Sequence, residues 1–172
     1  YHERVLELLE RSGGLRVYAS CFSHQLVALW QGGTVERRRE RLLGWERLEL
    51  TGTHGALAGM DSLSALCMNI DEVTEVPPGA ALVASSPGCA CQALSYGDRM
   101  LTCQAHPEMN PHRNGAAASA AALLLCRGRP AVYRSFRRGR PDASDASSDE
   151  FMKRVAGWLA GSADPLSTGD GR

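Results

Sequence analysis

The sequence predicts a single α/β domain, and three observations support this. The chain has 172 residues, the usual size of one domain with its own core. Its first thirty residues predict a helix, a short strand and a second helix that begins directly after the strand. Several strand-like segments follow before a final amphipathic helix. The strands are too numerous for a helical bundle and the helices too long for a β-sandwich.

The N-terminal part alternates between helix and strand. Residues 2–11 have apolar side chains at helical spacing, and the Ser-Gly-Gly at 12–14 ends this helix. Residues 15–19 predict a strand. The chain then turns directly into a buried helix over 22–30, which Gly32-Gly33 ends.

The middle of the chain is β-like. Pro77-Pro78-Gly79 predicts a turn, and Ser95–Asp98 predicts a hairpin turn. Residues 68–71 are assigned to a loop. One predicted strand begins at Thr34, and four others cover residues 45–50, 81–84, 92–94 and 99–103.

The C-terminal part has a different character. Residues 115–126 predict a helix of small residues, and Phe151–Leu159 an amphipathic helix. We expect a flexible basic and polar segment over 127–149 and a tail over 161–172. The six arginines of Arg127–Arg140 could bind phosphate, nucleic acid or an acidic protein, but a solvated surface segment is the interpretation we adopt.

Composition excludes several classes of function. Apolar residues make up 44% of the chain, and 19 basic residues balance 19 acidic ones. A general nucleic-acid-binding protein would normally have a basic excess. The sequence also has no apolar run of the ~18 residues that a membrane helix needs. We therefore expect neither nucleic acid nor a membrane as partner.

The six cysteines are scattered rather than paired in a disulfide pattern. Such a distribution is typical of a reduced, cytoplasmic compartment. Cys89-Ala90-Cys91 has the wrong spacing for a zinc site, and no second pair completes it. We expect no metal.

Cys21 is a candidate nucleophile because a predicted strand gives way to a helix there. The helix N-terminus has a partial positive charge that favours a thiolate. A sharp strand-to-helix turn also exposes the side chain above the sheet edge. The backbone N–H of Phe22 would then be placed to donate to an oxyanion. Alone, a cysteine at such a boundary is more often a small buried residue.

His106 and Glu108 could complete an acyl-transfer site. His106 follows the predicted strand 99–103 and can return to the same sheet edge, and Glu108 lies two residues further on. A carboxylate near the imidazole would fix its tautomer and stabilise the imidazolium. Alone, His-Pro-Glu is more often a surface turn.

Two motifs together resemble a known family. Residues 19–25, Ala-Ser-Cys-Phe-Ser-His-Gln, resemble the Gly-x-Cys-x-Gly-x-Gln elbow of the class I glutamine amidotransferases. Residues 104–109, Gln-Ala-His-Pro-Glu-Met, resemble that family's Gln-x-His-Pro-Glu motif. The similarity covers about residues 1–110, and the stand-alone glutaminase or γ-glutamyl peptidase branch is the nearest in character. Further matches in the family's order lie at 32–36, 43–45, 71–73, 77–80, 92–93 and 96–99.

The resemblance implies a flavodoxin-like three-layer sandwich with a mostly parallel central sheet. It also implies hydrolysis of a γ-glutamyl amide, glutamine to glutamate plus ammonia, without a cofactor. In that chemistry Cys21 forms a γ-glutamyl thioester, His106 moves the proton and Glu108 orients His106. An ammonia-accepting synthetase is an expected partner beside the small-molecule substrate.

The resemblance further assigns the substrate pocket. Gln25 would contact the amino-acid end of the substrate, the Phe22 N–H would bind the oxyanion, and Asn69 would line the pocket. His24 lies within the elbow motif but is interpreted as a packing residue.

Three departures from the family pattern bear on function. Ala19 and Ser23 replace the two elbow glycines, which allow tight backbone approach. Met-Asn-Ile-Asp at 68–71 replaces a Ser-His-Gly-Asp type of segment, which changes the pocket. The family also has β-α units before the position of Tyr1, including a loop with a second oxyanion-hole N–H. We therefore interpret residues 1–172 as an N-terminally incomplete single domain.

The departures leave three functions open. A glutaminase and a γ-glutamyl peptidase would share the chemistry and differ in the leaving amine. A non-catalytic binding or regulatory relative is the third. Retention of the three candidate catalytic residues favours an enzyme, because such a unit acts together.

Overall fold

A computed structural model of the chain describes residues 2–11, 13–51, 54–110, 124, 136, 139–142 and 144–161. The elements of this part alternate between helix and strand at the N-terminus, as the sequence predicts. In chain order they are α1 (His2–Arg11), β1 (Val17–Ser20), α2 (Phe22–Trp30), β2 (Thr34–Leu50), a 3-10 turn (Gly55–Leu57), β3 (Ser62–Glu75), β4 (Ala81–Ser86), β5 (Cys89–Tyr96), β6 (Met100–Cys103) and α3 (Ser147–Leu159).

One sheet contains the six strands in the order β1-β6-β5-β4-β2-β3. Among the strands that the structure describes, β1 and β6 pair in parallel, and the other four pairs are antiparallel. The predicted α/β class is confirmed, but the expectation of a mostly parallel sheet is wrong. The reason is connection length. Short links join β4 to β5 and β5 to β6 and can only form hairpins, whereas a parallel pair needs a crossover of a dozen or more residues.

Helices cover both faces of this sheet. Along β6, Met100 and Thr102 face α2, whose Val27 packs in the same cluster as Met100 and whose His24 contacts Thr102. Alternate residues of a strand point to opposite faces. Leu101 and Cys103 accordingly share the main core cluster with three side chains of α3: Phe151, Val155 and Trp158. The sheet is therefore the middle of three layers.

The two longest strands, β2 and β3, form a ribbon with a wide irregularity. Arg37 pairs with Asp71 and Leu42 pairs with Asn69, so four residues of β2 stand opposite the single residue Ile70 of β3. We call residues 38–41 the Arg38–Arg41 bulge. The predicted loop over 68–71 is wrong, because the ladder with β2 continues through these positions.

The start of α3 also differs from the prediction. The polar segment was expected to extend to residue 149, but the helix begins at Ser147. Two contacts fix this start: the Ser147 N–H donates to Asp145 Oδ1 (3.0 Å), and Ser147 Oγ accepts from the Ser64 N–H (3.0 Å). Phe151, Val155 and Trp158 on the predicted apolar side of the helix are buried, whereas Leu159, assigned to the same side, is 42% exposed.

Three further predictions lie outside the described residues wholly or in large part. They concern the helix over 115–126, the segment over 127–149 and the tail over 161–172. Within the described part of the chain, no helix combines the length and apolarity needed to cross a membrane.

Candidate active site

Cys21 occupies a strained turn between β1 and α2. Its backbone torsions are φ 52° and ψ −113°, and within the described residues no other non-glycine residue has a positive φ. The Cys21 N–H donates to the Cys103 carbonyl oxygen (2.8 Å), which ties the turn to the end of β6. Such a strained strand-to-helix turn is the geometry of a nucleophile elbow. The turn predicted from the sequence is therefore present.

The replaced elbow glycines do not disturb this turn. Ala19 lies in β1 opposite Thr102, and Ser23 lies in the first turn of α2. Neither residue has a positive φ, so neither position needs the conformational freedom of glycine. The positive φ is confined to Cys21 itself.

His106 is held near Cys21 by two strand contacts. Pairing of Ser20 with Cys103 places the ends of β1 and β6 side by side. Beyond β6, the His106 N–H donates to the Leu66 carbonyl oxygen (2.7 Å) as part of an isolated bridge to β3. His106 thus lies between the end of β1, which leads into Cys21, and β3.

Glu108 hydrogen bonds to His106. The distance from His106 Nδ1 to Glu108 Oε1 is 2.7 Å. Hydrogen bonds with Cys21 and then with Glu108 raise the pKa of His106 to about 9, against the opposing effect of burial. Burial, the largest single effect, would raise the pKa of Glu108, but the hydrogen bond with His106, a backbone hydrogen bond and the charge of His106 together hold the pKa below its ordinary value. The structure therefore brings together the three residues predicted to be catalytic.

Gln25 lies within the protein rather than on its surface. The side chain is only 8% exposed, and its Nε2 donates to the Asp71 carbonyl oxygen (2.8 Å) and to Gln104 Oε1 (2.9 Å). Both N–H groups of the amide are thus directed at the protein. A contact of this nitrogen with the amino-acid end of a substrate would have to replace one of these bonds.

Gln104 was not selected as a site residue from the sequence. It is fully buried, and its Nε2 lies 3.9 Å from Cys21 Sγ. Its Oε1 accepts from Gln25, so the two glutamines form a chain of amides that ends at the thiol. The signal was present in the sequence, since Gln104 opens the Gln-Ala-His-Pro-Glu motif.

Phe22 and Asn69, the two other predicted substrate-binding residues, differ in exposure. Phe22 is the first residue of α2 and its side chain is 54% exposed. Asn69 is 5% exposed and its Nδ2 donates to the Asp71 carbonyl oxygen (3.0 Å), the same acceptor that Gln25 uses. Its buried Oδ1 has no hydrogen-bond partner among the residues that the structure describes.

His24 has the environment of a packing residue. It is fully buried with Nδ1 2.8 Å from Thr102 Oγ1. Burial lowers its pKa to about 4, and a hydrogen bond with the Cys91 backbone opposes this only in part. His24 is therefore neutral at pH 7 and has its contacts inside the sheet–helix interface.

The other described cysteines differ from Cys21 in burial. Burial raises the pKa of Cys67 and Cys91 to about 12 and that of Cys89 to about 11, and it also raises the pKa of Cys103. These four thiols are protonated at neutral pH, whereas Cys21 is partly exposed. Across the described ranges, no group of three or more His, Cys, Asp or Glu side chains is arranged to hold a metal ion.

Comparison with known proteins agrees with this geometry. The family model described as "Glutamine amidotransferase class-I" matches residues 12–124, which include the elbow, the His-Pro-Glu turn and all six strands. The chain belongs to this family.

Two curated relatives show the range of this amidotransferase family. The chain is 32% identical to Gamma-glutamyl peptidase 3 of Arabidopsis thaliana over 103 residues, which are 55% of this chain and 41% of the relative. It is 33% identical to the glutamine-hydrolyzing GMP synthase of Bordetella avium over 114 residues, which are 60% of this chain and 22% of the synthase. The match therefore spans less than half of either relative.

Solved amidotransferase structures share the fold. A glutamine amidotransferase from Thermotoga maritima has a TM-score of 0.70 at 17% identity, covering 92% of this chain and 67% of its own. A glutamine amidotransferase from Methylobacillus flagellatus has a TM-score of 0.63 at 21% identity, covering 91% of this chain and 67% of its own. The α/β fold is thus that of the amidotransferases, with a mixed sheet.

Proposed function

We propose that this protein is a cysteine hydrolase of γ-glutamyl amides, converting glutamine to glutamate and ammonia through Cys21, His106 and Glu108. The observation that carries the proposal is the strained turn at Cys21 beside a His106–Glu108 pair at 2.7 Å. Strain of this kind costs of order 1–3 kcal/mol and persists where the surrounding structure imposes it, as at active sites.

The proposed reaction has two halves. The Cys21 thiolate attacks the carbonyl carbon of the γ-amide, and the Phe22 N–H at the start of α2 stabilises the resulting oxyanion. Protonated His106 gives its proton to the departing nitrogen, the C–N bond breaks, and a γ-glutamyl thioester remains. His106 then takes a proton from water, hydroxide attacks the thioester, and glutamate leaves as the thiolate re-forms.

Side chains around the triad would support these steps. Glu108 fixes the His106 tautomer and stabilises the imidazolium, which agrees with the raised pKa of His106. The Gln104 amide lies 3.9 Å from the Cys21 thiol and, through Gln25, connects it to the Asp71 carbonyl oxygen in β3. Asn69 lies at the far end of this chain and would line the substrate pocket.

A γ-glutamyl peptidase with the same triad is the second candidate. Its support is the pocket wall at Met68 and Asn69, where the family often has more polar residues, together with the peptidase relative from Arabidopsis thaliana. For glutamine hydrolysis, the GMP synthase relatives support a synthetase partner that accepts the ammonia. Five unpaired cysteines in the described part of the chain support a cytoplasmic location.

The test is covalent labelling of the full-length protein with a diazo-ketone analogue of glutamine, followed by mass spectrometry. We expect one label at Cys21, and none in a Cys21→Ala variant that remains folded by circular dichroism. Ammonia release from glutamine and amine release from a γ-glutamyl peptide then separate the two enzyme candidates. A folded wild type that takes no label would instead indicate a non-catalytic relative.

A further inference from the structure

The side chain of His54 holds the start of the 3-10 turn Gly55–Leu57. Its Nδ1 accepts a hydrogen bond from the Ala56 N–H (3.2 Å), so the ring proton of the neutral imidazole is on Nε2. His54 is 3% exposed, and its Nε2 has no hydrogen-bond partner among the residues that the structure describes. The turn therefore depends on a neutral His54, because a proton on Nδ1 would remove the acceptor of the Ala56 N–H.

The His54 ring packs against the C-terminal end of α3. Its centroid lies 5.0 Å from that of the Trp158 ring, and the two rings are at 79° to each other. Trp158 is buried in the main core cluster, as are Ala56 and Leu57 of the turn. His54 thus stands between the segment that joins β2 to β3 and the last turn of the helix.

Two further segments hold the same end of α3. The Trp158 Nε1–H donates to the backbone oxygen and to Oδ1 of Asp98 (3.2 Å each), in the turn between β5 and β6. Arg16, which precedes β1, donates to the Trp158 carbonyl oxygen (2.7 Å), and its guanidinium carbon lies 5.7 Å from the centroid of the Trp158 ring. We call His54, Trp158, Asp98 and Arg16 the helix-end cluster. It ties one helix end to three separate parts of the chain.

Within the helix-end cluster, His54 is the member whose charge changes between neutral and mildly acidic pH. Arg16 stays protonated in this range. Burial would raise the pKa of Asp98, but hydrogen bonds from Arg16 and Trp158 and the charge of Arg16 hold it below its ordinary value, so Asp98 stays anionic. On α3 itself, Arg154 is paired with Glu150 (2.7 Å). A response of this helix end to mild acid is therefore a response of His54.

Protonation of His54 works against the docked position of α3. Burial lowers the pKa of His54; the negative charge of Asp98 opposes this, and the positive charge of Arg16 adds to it. Because the folded pKa lies below the ordinary value of 6.5, an opened state takes up the proton first. The stabilisation from neutral His54 is thus complete above pH 6.5 and is lost as the pH falls towards the folded pKa.

We propose that His54 is a pH-sensitive latch, which holds the C-terminal end of α3 against the 3-10 turn at neutral pH and releases it in mild acid. When Nδ1 gains a proton it no longer accepts from Ala56, and the cation moves from the buried face of Trp158 into water. Phe151 of the same helix packs against Tyr18 of β1, with 6.2 Å between ring centroids. Release of α3 would therefore loosen the support of the strand that leads to Cys21.

The experiment is native-state amide hydrogen exchange of the full-length protein at pH ~7.5 and pH ~5.5, corrected for intrinsic exchange rates. Between the two pH values, we expect the protection of residues 155–159 to fall several-fold more than that of α2. His54→Asn keeps a side-chain acceptor for the Ala56 N–H, because asparagine is a favourable N-cap, but it cannot be protonated. In this variant the additional loss of protection at the end of α3 should disappear.

The internal control is α2, because it contains His24, a buried histidine outside the helix-end cluster. Its response to acid should be the same in the wild type and in His54→Asn. Equal protection of residues 155–159 at both pH values in the wild type would overturn the proposal. So would an acid response of these residues that persists in His54→Asn, since another group would then cause it.

An NMR titration of the wild type decides the matter if His54→Asn does not fold. The His54 ring protons are assigned by their contacts with the Trp158 ring. We expect them to titrate below pH 6.5, together with the Trp158 indole N–H signal. A His54 that titrates at or above 6.5, or without a change at Trp158, would overturn the latch. These outcomes do not depend on activity at Cys21, so the proposed function stands or falls separately.

Discussion

The proton on His106 gives the most direct test of the triad. Glu108→Gln keeps the size of the side chain and an oxygen near His106 Nδ1 but removes the negative charge at 2.7 Å. Glu108 is the second of the two groups that raise the pKa of His106, after Cys21. We therefore expect the substitution to lower the His106 pKa by roughly one unit, leaving the larger contribution of Cys21 in place.

The raised pKa of His106 also makes the free energy of unfolding depend on pH. A rise from 6.5 to about 9 is ~2.5 pKa units, and at ~1.4 kcal/mol per unit it corresponds to an upper bound of ~3.5 kcal/mol. Because the folded pKa is the higher one, this stabilisation is complete below pH ~6.5 and is lost as pH rises through about 9. In Glu108→Gln the stabilisation from protonated His106 should be smaller than in the wild type, and it should be lost at a lower pH.

The assay is an NMR titration of the histidine ring protons in the full-length protein. The His106 signal is identified by its loss in His106→Gln, and urea unfolding at pH 6 and pH 9 measures the free energy of unfolding. Glu7→Gln, on an exposed position of α1, is the control and should leave the titration unchanged. A wild-type His106 that titrates near 6.5, or one that Glu108→Gln does not shift, would refute the assigned contacts.

Three other substitutions test packing and positioning. Gly33→Ala should cost about 1–3 kcal/mol of unfolding free energy in urea titrations, because the new Cβ would lie 2.8 Å from the Glu75 backbone oxygen. The control is Gly14→Ala, whose Cβ would have no atom within 4 Å and which should be close to neutral. Phe151→Ala should cost about 3–5 kcal/mol in the same assay, because the ring is fully buried; a loss below 1 kcal/mol would contradict its place in the core. Gln104→Leu should slow alkylation of Cys21 by iodoacetamide several-fold at neutral pH without unfolding the protein, and an unchanged rate would show that the amide does not act on the thiol.

Local signals predicted the N-terminal elements well. The helices over 2–11 and 22–30 coincide with α1 and α2, because each has an apolar face of helical period and a glycine pair that ends it. Strand β3 was missed. Its middle is buried on both faces, so the apolar–polar alternation that marks a half-exposed strand is absent. The expectation of a mostly parallel sheet was also wrong, because the direction of strand pairing depends on tertiary contacts that local sequence patterns do not record.

The three candidate catalytic residues could be located from the sequence, whereas the side-chain contacts around them could not. Cys21 and His106 stand in short motifs at element boundaries, which a reader of the sequence can locate. Gln104 contacts two side chains that are 79 and 83 residues away in the sequence, Gln25 and Cys21. The Arg38–Arg41 bulge follows from a difference in register between β2 and β3, and register is fixed only when both strands are paired.

The parallel pairing of β1 with β6 makes the site a late product of folding. Its register joins Ser20 to Cys103, so a loop of about eighty residues must close before nucleophile and base can meet. Helices and hairpins built from near neighbours form earlier, because their closure costs less chain entropy. In refolding from urea, the far-ultraviolet helical signal should therefore recover no later than the reactivity of the Cys21 thiol, because that reactivity depends on the pairing of β1 with β6.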